Sequence, residues 1–304
     1  MNPDVERAVE ILRAGGLVAF PTETVYGLGA DASNPDAVRR IFTAKGRPPD
    51  HPLIVHLATP SALTDWAAEV GPAARRLADT FWPGPLTLLV RRAPHVLDVV
   101  TGGRPTVGLR VPRHPLAQAL LEAFGGGIAA PSANRFGKVS PTTASHVRAD
   151  LGDAVDLVLD GGPCRVGIES TIVDCSVDPP QLLRAGGVTA EQITRALGDL
   201  PLAGPSGPSR APGMLESHYA PLCEVRTVDT RAAAVAAVAA AQAVGQRADV
   251  LDPGPDLDLA GRSLYGWLRS ADDRGLDLVV AVLPPPGGLG TAIRDRLLKA
   301  SAPR

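Results

Sequence analysis

Two cations flank a glycine early in the chain, in the run Lys45-Gly46-Arg47. Glycine lets the main chain approach a ligand closely, arginine offers a planar fork of donors that suits phosphate or carboxylate, and lysine adds a point charge. Only three of the 30 basic residues are lysine, so Lys45 is a less expected choice than any arginine. The run indicates an anion site, although an ordinary basic surface loop has the same composition.

A second cation, Arg110, stands inside the apolar run Val107-Gly108-Leu109-Arg110-Val111. This run predicts a buried strand, and a buried charge without a partner is costly. The partner of Arg110 is then either a structural Asp or the carboxylate of a substrate, and the sequence leaves both open.

Small polar residues follow a short apolar run in Ala130-Pro131-Ser132-Ala133-Asn134, and Ser140-Pro141-Thr142 comes shortly after. Hydroxyls and backbone N–H groups at a helix start bind anions, and the same residues also serve as plain helix caps. Two further segments, Gly167 to Val173 and Leu182 to Gly186, carry Glu169, Ser170 and Arg184 at strand ends. Each segment by itself is weak evidence for a functional site.

Several other chemistries lack their sequence signature. His51 and His56 have no carboxylate at metal-ligand spacing, and the three scattered cysteines include no CxxC pair, which argues against structural zinc and against a disulfide framework. The chain has no Walker A pattern, no GxGxxG after the first strand, no GxSxG and no HExxH. Covalent serine catalysis and metal-dependent hydrolysis therefore have no support.

Composition indicates a folded protein of one large or two ordinary domains: 304 residues, 45% apolar and 20% charged, with a net charge of −2. Cutting the chain after Arg210 gives 20 basic against 21 acidic residues, then 10 against 11. Neither half has the excess of basic residues that is typical of a protein that binds RNA phosphates. The acidic N-terminus lacks a signal-peptide pattern and no run is apolar for long enough to cross a bilayer, so we expect a cytoplasmic protein without a membrane segment.

The apolar pattern alternates helices and strands, which predicts an α/β fold. Helices are expected at 3–14, 35–44, 72–82, 115–124 and 142–151, and strands at 17–20, 53–57, 86–90, 107–111, 128–130, 157–159 and 171–174. Residues 198–221 hold five prolines and four glycines and read as a linker. Beyond it we expect strands at 225–228, 250–251 and 277–283 and helices at 231–244, 262–271 and 289–300, which together form a small βα unit with a roughly parallel sheet.

Taken in order, the motifs are far more specific than any one of them. They are Pro21-Thr22-Glu23-Thr24-Val25-Tyr26-Gly27-Leu28, the Lys-Gly-Arg-Pro run, Pro52-Leu53-Ile54-Val55-His56, Trp82-Pro83-Gly84-Pro85-Leu86-Thr87, Gly108-Leu109-Arg110-Val111-Pro112, Pro131-Ser132-Ala133-Asn134 and Glu169-Ser170-Thr171-Ile172. The set closely resembles the YrdC-like threonylcarbamoyl-AMP synthases over about residues 5–195. His218-Tyr219-Ala220-Pro221 resembles the linker of the two-domain version, and Leu264-Tyr265 and 288–298 resemble its C-terminal domain.

The resemblance implies a YrdC-like catalytic domain at 1–197, with a twisted mixed sheet and a concave substrate cleft. A Pro/Gly-rich linker at 198–221 and a small Rossmann-like domain at 222–304 would follow. It also implies a nucleotidyltransferase that makes threonylcarbamoyl-AMP and pyrophosphate from L-threonine, bicarbonate and ATP, with Mg²⁺ carried by ATP. A tRNA threonylcarbamoyl transferase complex would then use the product to modify the adenosine next to the anticodon, with weak or no direct binding of tRNA by this chain.

The resemblance also assigns site residues. Those expected to line the threonine pocket are Thr24, His56, Arg110, Ala130 and Ser170. Those expected to hold ATP are Arg47, His51, Thr106, Ser132, Asn134, Ser140, Arg184 and Tyr219. Lys45 and Arg47 would be the catalytic residues, at the phosphates. Two departures stand out: position 51 is often Asn in this family, and the C-terminal unit is shorter than usual.

Two alternatives belong beside this interpretation. A carbamoyl-transfer relative of the same fold would carry acylphosphatase and zinc-finger segments, for which this chain has neither the length nor the cysteines. A non-catalytic RNA-binding module would be expected to have a more basic face.

Overall fold

The computed structural model describes residues 2–206, 211–213 and 219–303. In the N-terminal part the helices are α1 Pro3–Arg13, α2 Pro35–Lys45, α3 Leu63–Trp66, α4 Pro72–Phe81, α5 Asp98–Thr101, α6 Pro115–Phe124, α7 Ala144–Leu151 and α8 Ala190–Leu197. The strands there are β1 Val18–Phe20, β2 Gly27–Asp31, β3 Ile54–His56, β4 Leu86–Arg91, β5 Thr106–Arg110, β6 Ile128–Ala129, β7 Leu157–Val158, β8 Thr171–Asp174 and β9 Gln181–Arg184.

These nine strands form one sheet in the order β7-β1-β2-β6-β3-β5-β4-β8-β9. Pairing is mixed: β3 runs parallel to β5, with His56 opposite Arg110, whereas β4 and β5 are antiparallel. The main core includes Leu28, Val55, Leu88 and Leu109, each fully buried. The expected mixed sheet is therefore confirmed, and its register places two of the predicted site residues side by side.

The C-terminal part comprises β10 Glu224–Val228, α9 Arg231–Ala243, β11 Ala248–Leu251, α10 Leu257–Asp273, β12 Leu278–Val282 and α11 Gly288–Ser301. Its strands are all parallel, in the order β10-β12-β11. Helix α9 packs in a core cluster with β11 and β12, while α10 and α11 form a second cluster that includes Ile168 and Tyr219. The small parallel unit expected from the sequence is confirmed, and its second core is shared with the N-terminal part.

Helices α3 and α5, strand β2 and helix α8 fall outside the sequence expectations, and the last two have a clear local cause. Strand β2 reads Gly-Leu-Gly-Ala-Asp, which has little strand propensity. A Cβ at Gly29 would lie 2.8 Å from both Phe20 and Ile128, so close packing of neighbouring strands requires the glycine. Helix α8 begins with a capping box between Thr189 and Gln192, a pattern visible in the sequence as Thr-x-x-Gln.

Helix α10 also starts at Leu257, five residues before the predicted start, because Asp256 caps it. The domain limits 1–197, 198–221 and 222–304 stay a prediction, and His218 of the linker motif lies outside the described residues. No helix in the described ranges is long and apolar enough to cross a membrane.

Candidate active site

A cavity opens on the N-terminal sheet, and Pro212, Gly213 and Tyr219 contribute to its lining. Its walls bring together predicted residues from separate parts of the chain: Thr24, Arg47, His56, Arg110, Ala130, Ser132, Ser170, Arg184 and Tyr219. Strand ends and the turns that follow them supply most of these side chains, as is usual for sites built on a sheet.

The turn after β1 holds Thr24 in place through its neighbour Thr22. The Thr22 hydroxyl donates to Val25 O at 2.6 Å and accepts from the backbone N of Thr24 and Val25, each at 3.2 Å. The two threonine Oγ1 atoms lie 2.8 Å apart. Both side chains are buried, so the Thr24 hydroxyl reaches the cavity in a fixed orientation.

Arg110 lies at the end of β5 and is 4% exposed. Its Nη2 donates to Glu23 Oε1 at 2.8 Å and its Nε donates to Gly84 O at 3.2 Å. The other carboxylate oxygen of Glu23 accepts from Arg113 N at 2.9 Å. The sequence left open a structural acid or a substrate as the partner of Arg110. The structure supplies a structural acid, which is Glu23 rather than an Asp, and leaves the guanidinium at the cavity wall.

His56 lies beside Arg110 and is 3% exposed. Burial, followed by the charge of Arg110, lowers the pKa of His56 to about 3. Its ring contacts Phe20 edge-to-face, with centroids 5.7 Å apart, and its Nδ1 is buried with no hydrogen-bond partner in the described part of the chain. His56 is thus a neutral polar group near a cation, suited to a ligand with an ordinary hydrogen-bonding group.

Two arginines mark another side of the cavity. Arg184 donates from Nε to Ser170 O at 3.0 Å, and from Nη1 to Pro212 O at 3.1 Å. Arg47 donates from Nη2 to Pro52 O at 3.0 Å and lies over the ring of Phe136 at 5.6 Å. Its Nε is buried and lacks a partner within the described ranges.

Burial lowers the pKa of Arg47 to about 10, and the nearby charge of Arg184 acts in the same direction. Carbonyl oxygens, rather than carboxylates, bind both guanidinium groups. Among the described residues no carboxylate is in hydrogen-bond contact with either cation, which makes this side of the cavity suitable for an anion such as a phosphate chain.

Five predicted residues do not line the cavity. Lys45 is 2% exposed, and its Nζ donates to Ser132 O at 2.5 Å and to Asn134 O. Asn134 donates from Nδ2 to Arg135 O and Lys138 O, both at 2.8 Å. These contacts brace the loop that carries Ser132, whereas direct contact of Lys45 with a ligand stays a prediction.

The other three lie around the rim or behind the wall. His51 is half-buried and packs edge-to-face on Phe136 at 5.3 Å, next to Arg47. Thr106 is half-buried at the start of β5. Ser140 is fully buried and donates to Glu169 Oε1 at 2.7 Å.

Sequence reasoning missed the role of Glu169 and its partners. Glu169 lines the cavity and is bound by Tyr265 and Arg296 of the C-terminal unit. Arg296 had no sequence signal, because arginine is the default cation of this chain and the contact spans 127 positions. Tyr265 was noted only as part of a family motif.

The fold and cavity define a two-domain α/β protein whose polar cavity has buried arginines in its walls. The family model described as "Telomere recombination", which covers Sua5, YciO and YrdC, matches residues 10–186. The model "Threonylcarbamoyl-AMP synthase, C-terminal domain" matches residues 188–302. The chain belongs to the two-domain Sua5/YrdC family of threonylcarbamoyl-AMP synthases.

Full-length relatives agree. The chain is 41% identical to the threonylcarbamoyl-AMP synthase of Bacillus subtilis, with 100% of this chain and 94% of that protein covered. It is 42% identical to the enzyme of the same name from Pyrococcus abyssi, covering 98% and 94%. The crystal structure of P. abyssi Sua5 complexed with L-threonine superposes with a TM-score of 0.92 at 40% identity, covering 98% of this chain and 94% of that one. Matches over both units favour the synthase over the carbamoyl-transfer and RNA-binding alternatives.

Proposed function

We propose that this chain makes threonylcarbamoyl-AMP and pyrophosphate from L-threonine, bicarbonate and ATP. The observation that carries the proposal is that one cavity joins a buried polar region around Arg110 to a cationic wall around Arg47 and Arg184. The shared name of the full-length relatives and the L-threonine complex of the P. abyssi protein support this substrate pair.

Threonine would bind with its carboxylate on Arg110. Two of the three guanidinium nitrogens already bind Glu23 and Gly84, which fixes the group and leaves Nη1 for the ligand. Thr24, neutral His56 and Ser170 would meet the amine and hydroxyl, and Ala130 leaves room for the methyl group. A fixed, buried fork of donors discriminates strongly for a carboxylate in one position.

ATP would bind along the opposite wall, with Arg47 and Arg184 at the phosphates. The other residues proposed for the nucleotide are His51, Thr106, Ser132, Asn134, Ser140 and Tyr219. Lys45 would act on ATP through the loop it braces, since its ammonium group is bound to the carbonyls of Ser132 and Asn134.

Magnesium would arrive as the Mg²⁺ complex of ATP, held mainly by phosphate oxygens and water. The described residues contain no group of three or more His, Cys, Asp or Glu side chains that could hold a metal ion.

The reaction needs no covalent enzyme intermediate. The threonine amine adds to CO2 derived from bicarbonate and loses a proton, which gives a carbamate. A carbamate oxygen then attacks the α-phosphorus, the bond to the bridging oxygen breaks, and pyrophosphate leaves. The chain would contribute alignment of the two substrates and charge stabilisation by Arg47 and Arg184. The product would pass to a transferase complex that modifies tRNA, and this chain would make little or no direct contact with tRNA.

Pyrophosphate release from ATP tests the proposal. With Mg²⁺ and bicarbonate present, release should require L-threonine, fall sharply with L-serine and vanish without bicarbonate. Arg110→Met should raise the KM for threonine at least tenfold. Arg113→Met is the matched control, because the Arg113 side chain is exposed and binds a backbone carbonyl, Pro83 O. Release that does not depend on threonine would refute the proposed reaction.

A further inference from the structure

The two units of the chain meet at one buried carboxylate. Glu169 precedes β8 of the N-terminal unit, and Arg296 projects from α11 of the C-terminal unit. Arg296 is 0% exposed, and its Nε donates to Glu169 Oε2 at 2.9 Å. A fully buried arginine is rare unless it is paired, so this contact is a specific feature of the junction.

The carboxylate of Glu169 has donors on both oxygens. Ser140 Oγ donates to Oε1 at 2.7 Å, and Tyr265 OH donates to Oε2 at 2.7 Å beside the guanidinium of Arg296. Burial alone would raise the pKa of Glu169, but the charges of Arg296 and Arg184 and these hydrogen bonds lower it to about 2. Glu169 is therefore ionised at neutral pH, with both donors to Oε2 coming from the C-terminal unit.

The same donors contact Tyr219, which lines the cavity. The ring of Tyr219 stacks on that of Tyr265, with centroids 5.7 Å apart and planes inclined by 25°. The guanidinium of Arg296 lies 5.2 Å from the centre of the Tyr219 ring. Arg296 thus contacts both Tyr219 and Glu169, two residues that line the cavity.

Glu169 lines the cavity together with Arg47 and Arg184. An ionised carboxylate in that wall would repel the phosphates of a nucleotide over a short, poorly screened distance. Arg296 pairs with this carboxylate and is not itself among the residues that line the cavity. It is therefore placed to cancel the negative charge without occupying space that a ligand needs.

We propose that the C-terminal unit takes part in the reaction through Arg296, a positioning residue that cancels the charge of Glu169 so that ATP can bind beside it. Tyr265 assists by orienting the same carboxylate. The inference rests on the proposed use of ATP, and it gives the C-terminal unit a defined electrostatic task. A purely mechanical junction would need the shape of Arg296 but not its charge.

The test compares Arg296→Met with the double variant Arg296→Met/Glu169→Gln. Binding of a non-hydrolysable ATP analogue and of L-threonine is measured separately by calorimetry. Arg296→Met should weaken analogue binding by on the order of tenfold to a hundredfold, with threonine binding changed less than about threefold. The double variant, which has no charge to cancel, should recover most of the loss.

A pH series supplies a readout that a mechanical role would not change. Without Arg296 the pKa of Glu169 should rise, so analogue binding by Arg296→Met should improve as the pH falls from 8 to 5.5. Asp295 binds Arg296 and Lys299 rather than Glu169. The charged or titratable groups that face Glu169 within the described residues are Arg184, Tyr265 and Tyr219. Arginine stays charged in this range, and burial raises the pKa of both tyrosines, so only Glu169 should titrate among them.

Arg294→Met is the matched control, since Arg294 lies on the same helix, is half-buried and binds Pro284 O. Unchanged analogue affinity in folded Arg296→Met, or no recovery in the double variant, would overturn the inference. If Arg296→Met does not fold, Glu169→Gln alone decides: retained or tighter binding supports charge cancellation, and loss of binding refutes it. If the wild type binds the analogue but releases no pyrophosphate with threonine, the proposed reaction fails while this comparison still gives an answer.

Discussion

Replacing Lys45 by methionine separates two roles that the sequence could not distinguish. A phosphate clamp would place the ammonium at the ligand, whereas the structure buries it, 2% exposed, against the carbonyls of Ser132 and Asn134. Methionine keeps most of the volume of the side chain and removes the charge and the donors. The change in stability therefore measures how much Lys45 supports the loop that carries Ser132 and Asn134. The change in ATP affinity measures how much Lys45 contributes to ligand binding.

The expected loss of stability follows from the contacts. Hydrogen bonds from a charged donor contribute about 1.5–3 kcal/mol each, so two of them give roughly 3–6 kcal/mol before desolvation is considered. Burial and then the charge of Arg47 lower the pKa of Lys45 well below its ordinary value, which shows that burying the ammonium offsets part of this gain. A net loss of about 2 kcal/mol should lower the melting temperature by roughly 4–8 °C.

Circular dichroism melting and calorimetric ATP binding give the two readouts. We expect the lower melting temperature together with a loss of ATP affinity of about threefold to tenfold, because the loop carrying Ser132 loses its support. Lys138→Met is the control, since Lys138 is half-buried near the same loop and its ammonium makes no hydrogen bond within the described ranges. An unchanged melting temperature with a hundredfold loss of ATP affinity would refute the brace and favour the phosphate clamp.

Three further predictions concern the cavity walls. Glu23→Gln leaves the buried charge of Arg110 uncompensated, so unfolding in urea should show a loss on the order of 3 kcal/mol, and saturating L-threonine should restore part of it. Arg47→Lys keeps the charge but loses the planar fork and the stacking on Phe136, so calorimetry should show about tenfold weaker ATP binding with threonine unaffected. The pKa of His56 is about 3 when folded and 6.5 ordinarily, so the folded chain binds fewer protons between these values and stability falls as the pH drops through that window. His56→Asn should reduce this slope by up to about 1.4 kcal/mol per pH unit, measured by urea unfolding at pH 5 and 6.

Much of the fold could be predicted because the apolar periodicity and the Pro/Gly boundaries are local signals. Helix Pro35–Lys45 matches the expected span to within one residue, since Asn34 caps it and Gly46 follows it in a left-handed conformation. Strand Gly27–Asp31 could not be found in this way, because glycine has a low strand propensity. Its glycines are required by the close packing of Phe20 and Ile128 on neighbouring strands.

Site residues that belong to a local sequence motif could be predicted. Residues that join the site through contacts between distant parts of the chain could not. Arg110 was singled out because a charge inside an apolar strand needs a partner, but Glu23 lies 87 positions away and its part in that pair is settled only by the sheet. Arg296 lies 127 positions from its partner Glu169. Its helix also contains Arg294, and the sequence does not distinguish the two arginines. Residues that act through another residue leave no spacing pattern of their own.

The separation of Glu169 and Arg296 along the chain also matters during biosynthesis. At a translation rate of 5–20 residues per second, the 127 positions between them take roughly 6–25 s to be made. Once β9 has been made the N-terminal sheet has all its strands, yet its cavity acid still lacks Tyr265 and then Arg296 as donors to Oε2. A nascent chain should therefore acquire a nucleotide-competent cavity only when α11 has left the ribosome, so that ribosome-bound fragments stalled before this helix stay inactive.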